Sequence, residues 1–168
     1  MHDDAIELLV IGNTPSEVEG YLTSLRNSGI AVHAHQARHD MDEVSAALES
    51  PVDLIYYTAE AGETGIPTVH NLLTQQGLSI PLIVLTDSYD SEAKTRLMAQ
   101  GACDLVVRME NDLLVQLTIR EYARNRLQHD YATLKKQLAE AVERCNTLAE
   151  SSRDAIAYIH EGMHVKAN

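Results

Sequence analysis

Residues 53–58 read Asp53-Leu54-Ile55-Tyr56-Tyr57-Thr58, and residues 101–108 read Gly101-Ala102-Cys103-Asp104-Leu105-Val106-Val107-Arg108. Each holds a short apolar run that closes on a polar residue. Such runs, continuous rather than alternating, suit strands buried on both faces of a parallel sheet. Three more lie outward from them: Leu8 to Ile11, Ile30 to Ala34, and Pro81 to Thr86. The last opens on proline, which a strand tolerates at its first residue.

Amphipathic stretches separate the runs. Thr14-Pro15-Ser16-Glu17 starts a helix, with Thr14 as N-cap, Pro15 at the first helical position and Glu17 completing a capping box. Val18, Tyr21, Leu22 and Leu25 form its buried stripe, and Asn27-Ser28-Gly29 ends it. Further helices are expected at about 41–48, 67–76 and 91–100, the last closed by Gly101. This repeat predicts a five-stranded parallel sheet with helices on both faces. In such sheets ligands gather at the carboxyl ends of the strands, so positions 12–14, 58–60, 86–88 and 108–109 hold any chemistry.

From Asn111 the pattern changes. Leu113, Leu117, Leu127, Tyr131, Leu134, Leu138, Ala141, Cys145 and Leu148 share one heptad register, interrupted at Arg120 and Arg124. No Gly or Pro occurs between Asn111 and Ser151. One helix is expected to run on as a coiled coil, about 57 Å long at 1.5 Å per residue. Its seam, Leu127, Tyr131, Leu134, Leu138, Ala141, Cys145 and Leu148, needs a second chain to cover it. In a parallel pair Cys145 faces its twin. Beyond 151, the runs Ala155 to His160 and Met163 to Asn168 flank Glu161-Gly162, which suggests a β-hairpin.

The bulk properties narrow the function classes. Among 168 residues there is no Phe and no Trp, so Leu, Ile, Val and Ala must build the core. The net charge is −12, and residues 1–112 hold 5 Lys and Arg against 18 Asp and Glu. Such an acidic head repels phosphates, which disfavours nucleic acid and anionic membranes as partners. No stretch approaches about 18 apolar residues, so no membrane span is expected. Two unlike, distant cysteines and the lack of a signal peptide at Met1-His2-Asp3-Asp4 point to a cytoplasmic setting.

Residues 5–125, on the segments quoted first, resemble a receiver domain of two-component signalling, the CheY-like, flavodoxin-like fold. The resemblance implies an acidic pair holding Mg²⁺ after the first strand and a phosphorylated aspartate after the third. It also implies a hydroxyl on the fourth strand and a lysine on the fifth. Here the acidic pair falls on Gly12 and Asn13, the phosphoacceptor on Thr58, the hydroxyl on Thr86 and the lysine on Arg108. The proline after the lysine falls on Met109, and the reporting aromatic on Leu105. Mg²⁺ needs hard oxygen ligands, and a threonine hydroxyl is a poor nucleophile without a base. The expectation is a pseudo-receiver with no catalysis, no metal and no cofactor. Gly12-Asn13-Thr14 and Glu63-Thr64-Gly65 lack the glycine spacing of a phosphate cradle.

Residues 152–168 are similar to the opening of a PAS domain. Receiver, linking helix and PAS start together resemble the N-terminal region of FimX-like regulators of type IV pili, which continue into GGDEF and cyclic di-GMP-binding EAL domains. That resemblance implies residues 1–125 as the receiver-like domain, 126–150 as the coiled-coil linker and 151–168 as the start of a truncated PAS-like domain. The heptad seam points to a homodimer, and the resemblance implies an unidentified protein partner and localisation at the cell pole. The alternative is a degenerate receiver driving an RNA-binding antiterminator, whose basic helical output would follow residue 150 and which the hairpin disfavours. An enzyme on the same scaffold ranks lowest, since the strand ends offer no nucleophile and base. His33 and His35 share one strand face, with His39 in the following loop. Without Cys or a second-shell pattern they are expected to decorate an edge strand.

Overall fold

A computed structural model of the chain describes residues 5–12, 14–59, 65–88, 90–108, 110–151, 157–160 and 163–167. The strands that the apolar runs predict pair in the order β2-β1-β3-β4-β5, all parallel. They are β1 (Ile6–Ile11), β2 (Val32–Ala37), β3 (Leu54–Thr58), β4 (Leu82–Thr86) and β5 (Asp104–Val107). The helices between them are α1 (Pro15–Asn27), α2 (Met41–Ala47), α3 (Gly65–Gln75), α4 (Ser91–Ala99) and then α5 (Asn111–Ser151). The strand order reverses between β1 and β3, so the crevice at their carboxyl ends is the place to look for a site.

Alternation along each strand sorts the core into two layers. Leu8, Val10, Leu54, Tyr56, Ile83 and Leu85 face α1 and α5, meeting Val18, Leu25, Leu114 and Leu117. Leu9, Ile11, Ile55, Tyr57, Val84 and Leu105 face the other helices, meeting Val44, Ile66, Val69 and Leu97. With no Phe or Trp available, Tyr56 supplies bulk at the centre. Its ring meets Tyr21 edge-on at 6.1 Å and its hydroxyl shares a 2.5 Å hydrogen bond with Thr118. Burial pushes the phenol's pKa up, so it stays a neutral hydrogen-bonding partner within the apolar layer.

Local signals in the sequence set the helix starts. Thr14 accepts from the Glu17 amide, and Glu17 reaches back to the Thr14 amide at 2.9 Å, completing the capping box. Asp40 and Asp90 cap α2 and α4 by accepting from the Asp42 and Glu92 amides. Two elements differ from expectation. The second strand spans Val32–Ala37 rather than Ile30 to Ala34, because its register is set by pairing Ile6 with Val32 through Ile11 with Ala37. The third helix begins at Gly65, two residues before the expected start, and a Cβ at that glycine would overlap the Tyr57 hydroxyl.

The chain divides into two compact units, residues 1–126 and 127–168. In the second, β6 (Ala157–His160) and β7 (Met163–Ala167) pair antiparallel, as the hairpin reading expects. Glu161 and Gly162 between them lie outside the described residues. Among the described residues no helix is long and apolar enough to cross a membrane.

Candidate functional site

Four of the five positions singled out at the strand ends are described; Asn13, like Met109, lies outside the described residues. Gly12 follows β1 with φ +85°, in the region that favours glycine. Its missing side chain leaves room for another residue: a Cβ there would overlap the His39 ring at Nε2. The imidazole stands edge-on to Tyr57, centroids 5.0 Å apart at 75°. The space beside the first strand's end thus holds a nitrogen ring lying over glycine, not a carboxylate. Thr58 ends β3 and is only 2% exposed.

On the far side of the crevice, Thr86 donates to the Ser88 carbonyl at 3.3 Å. Arg108, at the end of β5, is held by two carboxylates. Its Nη1 lies 3.1 Å from Glu17 Oε1 on α1, and its Nε lies 3.1 Å from Asp87 Oδ1 in the loop after β4. The Glu17 carboxyl is held below its usual range, first by the Thr14 amide and hydroxyl and then by Arg108. The guanidinium therefore ties three segments together beside a cavity of about 340 Å³ lined by Tyr21, Val107 and Asn111. Neither Glu17 nor Asp87 was legible as its partner, because each lies far from Arg108 along the chain.

Gly12 brings no ligand atom from a side chain, and the neighbouring space is taken by an imidazole. An octahedral Mg²⁺ shell of hard oxygens does not fit these described residues.

A second charged cluster sits on α4, β5 and α5. Asp104 meets Lys94 at 2.7 Å and Arg120 at 3.0 Å. The Glu121 side chain, 0% exposed, is clamped by Arg120 at 2.8 Å and Arg124 at 2.6 Å. This explains why arginines interrupt the heptads at 120 and 124: there the helix still serves the first unit. Leu117 likewise lies in the core, whereas Leu113 is 44% exposed; the unbroken exposed seam starts at Leu127.

Burial pushes the Asp104 carboxyl up, but Lys94, the Leu105 amide and Arg120 outweigh it and the net pKa is lowered. A carboxylate whose folded-state pKa is depressed contributes stability above its unfolded pKa and loses it as pH falls through the folded value. Asp104→Asn is expected to cost about 1–3 kcal/mol near neutral pH. The gap from wild type should close as pH drops below the ordinary carboxylate range. Urea unfolding across that range checks it, and a pH-independent gap would assign the loss to packing.

From 127 onward the seam residues Leu127, Tyr131, Leu134, Leu138 and Leu148 are 64–70% exposed. Ala141 is partly exposed and Cys145 exposed, on the same stripe. Val142, also half exposed, widens it by one position that the heptad reading did not include.

No protein-family model matches the chain. No curated protein sequence matches it either. Solved structures do match in shape. The receiver domain of Francisella response regulator 1452 is 20% identical with a TM-score of 0.57, covering 71% of this chain and 98% of that one. The signal receiver domain of a signal transduction histidine kinase from Syntrophus aciditrophicus is 24% identical with a TM-score of 0.56, covering 71% and 91%. NtrX from Brucella abortus, solved in complex with ADP, is 17% identical with a TM-score of 0.66, covering 81% of this chain and 30% of that one. The first unit has the receiver-domain fold.

Proposed function

We propose that this chain is a signalling module of response-regulator type whose receiver head does not take up phosphate and which works by pairing and recognition. The observation that carries this reading is the His39 ring lying on Gly12, where receivers keep metal-binding acid. The engagement of Arg108 by Glu17 and Asp87 supports it, since the basic group is already neutralised within the fold. A threonine at 58 has neither the charge nor the anhydride chemistry of an aspartate acceptor.

Pairing is the positive half of the proposal. A second copy covers the stripe from Leu127 to Leu148, because five large side chains left in water on one helix face are a standing cost. The heptad spacing favours a parallel pair, with Cys145 opposite its twin. Residues 1–125 act as the receiver-like head, 126–150 as the dimerising linker, and 151–168 as the opening of a PAS-like domain. The antiparallel pairing of β6 with β7 fits that last assignment and speaks against a helical RNA-binding output. The specific role follows the FimX resemblance: a protein-binding, polar-localising module of a cyclic di-GMP regulator of type IV pili.

Sedimentation velocity at tens of micromolar tests the pairing. A dimer whose size is unchanged by acetyl phosphate and Mg²⁺ is expected. A strict monomer, or a dimer formed only after acetyl phosphate, would overturn the proposal.

A further inference from the structure

The residues just before and just after each seam position line the two flanks of the apolar stripe from Leu127 to Leu148. Asp130 stands just before Tyr131, and Lys135 just after Leu134. They lie on opposite flanks of the stripe, and both are exposed. Lys135 has no acidic residue three or four positions away, the spacing at which side chains of one helix meet. Arg126, four positions before Asp130, donates to the Tyr122 hydroxyl at 2.9 Å. Along the flank of Asp130 follow Gln137 and Arg144, and along that of Lys135 follows Val142. An acid on one side and a base on the other are what a second identical helix can answer.

We propose that Asp130 of each chain pairs with Lys135 of the partner subunit, and that these two ion pairs select a second copy of this chain running parallel and in register. The selection rests on the pairing proposed above and fixes its direction. In a parallel two-stranded coil, the residue before a seam position lies beside the residue five places further along the other chain. Asp130 thus meets the partner's Lys135, and two-fold symmetry makes the contact twice. The next positions so matched, Gln137 with Val142 and Arg144 with Ala149, bring no like charges together. In an antiparallel pair like flanks meet, so Lys135 faces either Val142 or its own twin, and Asp130 stays away from it. Exposed ion pairs add little affinity of their own, but they discriminate, because the wrong arrangement leaves them unmatched or sets like charges together.

Sedimentation velocity over a dilution series of the full chain tests it, comparing wild type with Lys135→Glu, Asp130→Lys and the double variant. Each single exchange turns two attractions into two repulsions and is expected to raise the dissociation constant by roughly tenfold. The double variant reverses both partners and should return to within about threefold of wild type. The two single exchanges move the net charge in opposite directions, so a loss in both cannot come from overall charge. In about 1 M salt, where the screening length is about 3 Å, the differences should narrow. Circular dichroism should show every variant folded, because both side chains are exposed. Single variants that pair as tightly as wild type, or a double variant weaker than either single one, would overturn the selection and leave the pairing standing. A wild type that is monomeric throughout would overturn the pairing itself, and the selection with it.

Discussion

Replacing Leu134 and Leu138 with Lys in the full chain is expected to give a monomer at tens of micromolar, where the proposed pairing makes the wild type a dimer. The pair of substitutions removes four leucines from a two-chain seam, and each buried leucine contributes about 1.5–3 kcal/mol. At about 1.4 kcal/mol per tenfold change, dissociation should strengthen by more than roughly a hundredfold. The four lysines also bring like charges together across the seam. Both positions are exposed in the single chain, so the thermal unfolding of the head should not move. Sedimentation velocity of wild type and variant side by side decides it. A variant that remains dimeric would assign the pairing to a surface of the head and remove the coiled coil from the account.

Gly12→Asp, which restores an acid where receivers carry one, is expected to destabilise the head by about 2–5 kcal/mol. Holding a non-glycine residue at φ +85° costs about 1–2 kcal/mol, and forcing a side chain into filled space costs about 1–3 kcal/mol more. The space is filled by His39. Adding His39→Ala should recover the packing share and leave the backbone share, so the double variant falls between wild type and Gly12→Asp. Urea unfolding midpoints measure all three. Gly12→Asp within a few tenths of a kcal/mol of wild type would mean that the ring does not occupy this space.

Local signals carried most of the fold. Thr14 and Glu17 announce a helix start because a capping box is made within four residues, and Pro81 to Thr86 reads as a buried strand from composition alone. The second strand starts two residues and ends three residues beyond its expected bounds, and nothing local marks the start because Ile30 is as apolar as Val32. Only pairing with β1 separates them, and that is a contact across the sheet. The candidate site divides along the same line. Which residue stands at each strand end was legible at Gly12, Thr58, Thr86 and Arg108. What surrounds them was not: His39 over Gly12, and Glu17 and Asp87 on Arg108, all join separate elements. Heptad spacing shows Arg120 and Arg124 only as an interruption, whereas Glu121, buried on the same helix, gives both arginines a partner.

The most direct test of a receiver head without phosphate chemistry is intact mass spectrometry of the full chain after incubation with acetyl phosphate and Mg²⁺. The account predicts an unmodified mass, with a phosphorylatable receiver treated in parallel as the positive control. A species heavier by one phosphoryl group, mapping to the peptide that carries Thr58, would contradict it.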